Sequence, residues 1–126
     1  MAKSKVLLPT DGSSAAIRAA VYAARLMKLD SEMEVCVLVV VPPEGSSLGE
    51  DILQKTVEVF LNQGLTVQGC IKFGDPAEII LSEAKEGGYD HIIMGSRGAG
   101  EVKDSGIGSV SHRVVNSAFC RVTLVK

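Results

Sequence analysis

The chain has 126 residues, 46% of them hydrophobic, and its 13 Lys and Arg nearly balance 15 Asp and Glu for a net charge of -2. That length and composition suit a single folded domain over 1–126, with a core large enough to need no metal or disulfide staple. The missing surplus of cations excludes a general nucleic-acid binder, no apolar run reaches the length of a membrane span, and no secretory h-region opens the chain, so a cytoplasmic protein is expected.

In chain order, Lys5 to Pro9 (KVLLP) is a continuous apolar run of the kind buried on both faces of a sheet. Thr10-Asp11-Gly12 breaks it, and Ser13 or Ser14 can cap the next helix, whose predicted inward stripe is Ile17, Ala20, Val21, Ala24 and Met27. Glu34 to Val41 is β-branched and apolar, hence a central strand, and Pro42-Pro43 ends it. After a loop at 45–49, a second helix is predicted from about Leu48 to Gln63, with Ile52, Leu53, Val57 and Phe60 inward. Leu65 to Phe73 alternates as an edge strand does. Asp75-Pro76-Ala77-Glu78 reads as a helix start, with Asp75 as cap and Pro76 first in the helix; Gly87-Gly88 stops it.

A strand from His91 to Met94 follows and breaks at Gly95. The loop 96–107 leads to a helix from about Gly108 to Ser117 and a last strand, Arg121 to Val125. The alternation βαβαβαβαβ predicts an open, parallel, five-stranded α/β sheet with helices on both faces, Rossmann-like, in strand order 3-2-1-4-5. Such sheets bind ligands at the carboxyl ends of the strands, where the winding reverses. Polar, glycine-marked breaks fall at two such ends, Thr10-Asp11-Gly12 and Gly95-Ser96-Arg97-Gly98. Cys36, Cys70 and Cys120 have no CxxC spacing and read as reduced, packed thiols.

Strand, glycine loop and helix N-terminus together present backbone N–H groups to an anion, usually a phosphate. Gly95 lets the chain turn off its strand and a ribose come close. Gly98 and Gly108 remove side chains where phosphates would meet the main chain. The N–H groups of Ser109 and Val110 stand at the positive end of a helix dipole, and Ser109 adds a hydroxyl. Arg97, Lys103 and Arg113 are near enough in sequence to supply countercharge. Neither GxxxxGK[ST] nor GxGxxG after the first strand is present, so neither a Walker loop nor a dinucleotide fingerprint explains the glycines. His91 reads as packed or solvent-facing, His112 as a solvated helix residue, and Glu101 and Asp104 as loop carboxylates.

The spacing Gly95-x2-Gly98-x9-Gly108-Ser109 resembles the G-2x-G-9x-G-[S/T] motif of the ATP-binding branch of the universal stress protein family. The likeness extends to VLLPTDGS at 6–13, VVPP at 40–43, GDPAEII at 74–80, YDHIIMGSRG at 89–98 and GSVSHRVVNSAFC at 108–120. Arg121 departs from it, standing where the family usually has Pro. The resemblance implies ATP in the crevice, with Mg²⁺ (or Mn²⁺) accompanying it. Asp11 would contact the adenosine, with Pro9 and Thr10 alongside, and the main chain at Val40 would meet the adenine edge. Met94 and Gly95 would line the ribose, and Gly98, Gly108, Ser109 and Val110 would hold the phosphates. It also implies a homodimer paired through Val122–Val125, and a nucleotide-responsive stress regulator rather than an efficient enzyme. No catalytic residue is assigned. Slow ATP hydrolysis or autophosphorylation is one alternative, and a dimeric interaction module with an empty or AMP-preferring pocket is another.

Overall fold

The structure is a computed structural model that describes residues 3–42, 48–97 and 108–126. In chain order the described elements are β1 (Lys5–Thr10), α1 (Ser14–Leu29), β2 (Glu34–Val41), α2 (Leu48–Leu61), β3 (Gln68–Phe73), α3 (Pro76–Glu86), β4 (His91–Gly95), α4 (Ser109–Ser117) and β5 (Arg121–Val125). The strands form one parallel sheet in the order β3-β2-β1-β4-β5. This is the predicted order, and its winding reverses between β1 and β4.

The apolar runs of β1, β2 and β4 sit in the middle of the sheet because both of their faces are covered. On one face Val6, Leu8, Val35, Val37 and Ile93 pack against α1 and against Phe60 of α2. On the other, Leu7, Cys36, Leu38, Ile92 and Met94 pack against Ala77, Ile80 and Ala84 of α3 and Val114 of α4. Period-two alternation therefore divides each strand between two cores. β3 carries exposed residues at both ends, as an edge strand does, and β5 forms the opposite edge.

Three details differ from the sequence reading. The buried face of α1 is Ala15, Ala16, Ala19, Ala20, Ala23 and Ala24, while Ile17 is half-buried and Val21 is exposed. The helix is rotated so that its smallest side chains meet the sheet, because alanines allow closer approach to β1 and β4 than a branched stripe would. β3 begins at Gln68 rather than Leu65; Leu65 and Val67 pack on the first core before strand pairing starts. β4 continues through Gly95, which pairs with Val125.

The caps follow the sequence. Ser13 Oγ accepts from the Ala16 N–H at 3.2 Å, and the Asp75 carboxylate from the Glu78 N–H at 3.0 Å. Arg121 opens β5 in register with His91, and its guanidinium stands 3.6 Å from Asp90. No described helix is long and apolar enough to cross a membrane.

Candidate functional site at the carboxyl ends of the strands

In a parallel sheet every strand ends, and every following helix begins, at the same rim. Where β1 and β4 part, this rim opens into a crevice of about 160 Å³. Pro9, Thr10 and Asp11 form its β1 wall, and Leu38 and Val40 its β2 wall. Met94, Gly95 and Arg97 come from the end of β4; Gly108, Val110 and Ser111 come from the start of α4. Pro76 and Ile80 of α3 close the side. Three distant stretches singled out in the sequence thus meet at one place.

Hydrogen bonds fix the turn after β1. The Asp11 carboxylate accepts from the Ser13 N–H at 3.0 Å, Lys55 Nζ donates to the Gly12 carbonyl at 3.1 Å, and Ser13 Oγ reaches the Arg97 carbonyl at 3.5 Å. Gly12 has φ +80°, a left-handed conformation that L side chains adopt only with strain. Thr10 lies in the crevice wall, but its hydroxyl is engaged behind it. It stands 3.1 Å from the Thr56 hydroxyl and accepts from the Gly12 N–H at 3.2 Å, and Thr56 donates onward to the Ile52 carbonyl.

The rim beyond β4 is tied as firmly. A Cβ at Gly95 would lie 2.8 Å from both the Ala15 carbonyl carbon and the Ala16 nitrogen, so packing against α1 alone demands glycine here. The Ser96 N–H donates to the Val125 carbonyl at 2.8 Å, and the Ser96 carbonyl accepts from the Gly108 N–H at 2.6 Å. Buried Ser111 donates to the Gly95 carbonyl at 2.8 Å. These bonds clamp the start of α4 onto the end of β4. Gly108, the N-cap of α4, makes no side-chain capping bond, so the helix opens on backbone N–H groups at the positive end of its dipole.

Among the predicted site residues, Pro9, Thr10, Asp11, Val40, Met94, Gly95, Arg97, Gly108 and Val110 line the crevice. Ser109 is the first residue of α4 and is exposed beside it. Gly98, Glu101, Lys103 and Asp104 lie outside the described residues. Arg113 pairs with the Asp75 carboxylate at 3.0 Å, joining α4 to the cap of α3. His91 stands at the opposite end of β4, where Nε2 lies 2.7 Å from Thr123 Oγ1; burial and then the Arg121 charge hold its pKa below the usual value. Sequence reasoning missed Ser111, Leu38, Pro76 and Ile80. The topology held the signal for the α3 pair, because a helix that follows a parallel strand starts at the ligand-binding rim.

Residues 3–126 match the model of the universal stress protein family. The chain is 30% identical to universal stress protein MJ0531 of Methanocaldococcus jannaschii over an alignment covering 97% of this chain and 81% of that protein. It superimposes on the solved structure of MJ0577 from the same organism with a TM-score of 0.85 at 28% identity, covering 100% of this chain and 97% of the other. At 21% identity and a TM-score of 0.82, the same fold recurs in a universal stress protein solved in complex with cAMP, over 100% of this chain and 98% of that one.

Proposed function

This chain belongs to the universal stress protein family, and from that membership we propose that its crevice binds an adenine nucleotide, ATP in the first instance, and that the bound nucleotide sets its regulatory state. The observation that carries the reading is the convergence of Asp11, Val40 and the glycine-opened start of α4 on one crevice at the winding reversal. The strand-end part of the crevice is apolar, with Leu38, Val40 and Met94 suited to a base and ribose. Asp11 is the carboxylate on the β1 wall for a ribose hydroxyl. The phosphates belong at the α4 N-terminus, at Gly108, Ser109 and Val110, with Gly98 completing the motif and Arg97 supplying positive charge. The cAMP complex of a family member of the same fold supports an adenine nucleotide as the ligand class.

Mg²⁺ or Mn²⁺ would enter with the phosphates. Among the described residues no group of three or more His, Cys, Asp or Glu side chains could hold such an ion by itself. The β5 edge, Val122–Val125, would pair across a two-fold axis to give a homodimer, because an edge strand offers unpaired backbone groups. We place the protein in the cytoplasm, acting through partners rather than through rapid turnover.

The test is gentle purification without added nucleotide, denaturation, and chromatography of the released ligand, beside a Gly108→Asp, Ser109→Ala variant. Stoichiometric ATP from the wild type and none from the variant is the expected result; the introduced carboxylate would bring a negative charge to where the phosphates sit. Wild-type protein that is empty and also fails to bind millimolar ATP would overturn the reading. Release of AMP or cyclic AMP would keep the adenosine site but remove the role given to the triphosphate.

A further inference from the structure

α2 supplies none of the described residues that line the crevice, yet it grips the turn that carries Asp11. Ile52, Lys55 and Thr56 stand three and four positions apart, so they share one face of the helix. Lys55 Nζ donates to the Gly12 carbonyl at 3.1 Å. The Ile52 side chain packs on Gly12 so closely that a Cβ there would lie 3.2 Å from Ile52 Cγ1. Thr56, fully buried, reaches the same turn through the Thr10 hydroxyl at 3.1 Å.

The hydrogen bonds run in one sense. A threonine hydroxyl has one proton to give and two lone pairs to accept with. Thr56 gives its proton to the Ile52 carbonyl at 2.9 Å, so Thr10 must be the donor across the 3.1 Å contact. The Thr10 oxygen in turn accepts from the Gly12 N–H at 3.2 Å. One chain therefore leads from the Gly12 N–H through Thr10 and Thr56 to the Ile52 carbonyl, with every proton used. It holds Gly12 at φ +80°, and on the other side of the turn the Asp11 carboxylate accepts from the Ser13 N–H. A buried chain of this kind is rigid when complete and costly when broken. Packing alone does not call for it, because valine has the shape of threonine and would fill the same space between α2 and β1.

We infer that Thr56, with Lys55 beside it, is a positioning residue for the nucleotide, a role that rests on the adenine-nucleotide reading above and on Asp11 as the partner of a ribose hydroxyl. Thr56 does not line the crevice; it acts through Thr10 and Gly12 on the backbone that carries Asp11. A hydrogen bond weakens steeply as its geometry departs from linear. A turn that loses its brace on α2 therefore gives up its hold on the ribose hydroxyls first. The base and the phosphates keep theirs, because β2 and the start of α4 are held by other contacts.

Calorimetric titration of the full chain, with Mg²⁺ present, compares ATP with 2′,3′-dideoxy-ATP, which lacks both ribose hydroxyls. Wild-type protein should prefer ATP by about tenfold or more, as a charge-assisted hydrogen bond gives. Thr56→Val should lose about threefold or more of that preference. Thr56→Ser keeps the hydroxyl but deletes a buried methyl, so it should lower the urea midpoint and keep the wild-type preference, a split that a merely structural role would not produce. Lys55 is exposed, so Lys55→Met folds and carries the test where Thr56→Val does not; it should lose about twofold. Three results would each overturn the inference and leave the adenine-nucleotide reading standing: an unchanged preference in folded Thr56→Val (or in Lys55→Met standing in for it), an equal loss in Thr56→Ser, or equal binding of the two nucleotides by the wild type. Wild-type protein that binds neither would overturn both.

Discussion

Replacing Gly95 by alanine tests whether the rim of the crevice is set by packing as tightly as its geometry states. The added Cβ meets backbone, at 2.8 Å from Ala15 and Ala16 and 3.0 Å from the Ala15 Cβ. Backbone at the first turn of a helix whose inner face is all alanine has no flexible side chain to yield, so α1 must shift. Overpacking of this kind costs about 1–3 kcal/mol. With an m-value of about 1–3 kcal/mol per molar urea, the unfolding midpoint should fall by on the order of 1 M. Gly64→Ala is the control, because Gly64 has φ +74° but nothing within 4 Å of a Cβ. It should lose only the left-handed penalty of about 1–2 kcal/mol, and nucleotide affinity should be unchanged. Gly95→Ala should lose both stability and affinity, since α1 carries the Asp11–Ser13 turn. An unchanged midpoint and affinity for Gly95→Ala would refute the reasoning.

Other consequences follow from the same contacts. Thr56→Val takes from the buried Thr10 hydroxyl its hydroxyl partner, leaving it only the bond from the Gly12 N–H, and should cost about 1–3 kcal/mol in urea unfolding; adding Thr10→Val should cost less than the two single changes together. His91 has a lowered pKa in the folded chain, so its share of stability is present above its unfolded pKa of about 6.5 and is lost as pH falls toward the folded value. Stability measured from pH 7.5 to 5 should decline in the wild type, and the decline should be shallower in His91→Asn. Asp75→Ala removes a side-chain N-cap and should destabilise by about 1 kcal/mol, with the exposed Arg113 pair adding little. Sedimentation equilibrium should return twice the 13.3 kDa chain mass if β5 pairs across a dimer, and 13.3 kDa if it does not.

Most of this architecture is legible in the chain because each local signal agrees with the global one. The three continuous apolar runs at 5–9, 34–41 and 91–94 are the three central strands, and the alternating run ending at Phe73 is an edge. The helix starts at Ser13 and Asp75 follow from side chains that cap their own neighbourhood. Legibility fails where partners are distant in sequence. The face of α1 is chosen by how closely β1 and β4 allow a helix to approach, which favours alanines over Ile17 and Val21 although the latter have the stronger hydrophobic signal. The Thr10–Thr56 bond and the Ser111 bond to Gly95 join residues 46 and 16 positions apart, and no periodicity encodes them. At the site, glycine spacing locates the rim residues at 95 and 108. It does not reveal that Gly95 answers to Ala15 and Ala16, a contact with the far end of the chain.

The most direct test is an amide-resolved NMR titration of the wild-type chain with ATP and Mg²⁺. The account predicts the largest shifts at Asp11, Val40, Gly95 and Ser109 to Ser111, with the amino-end residues Met33, Gly64 and Tyr89 unmoved. Shifts centred on the amino ends of the strands, or none at millimolar ATP, would contradict it.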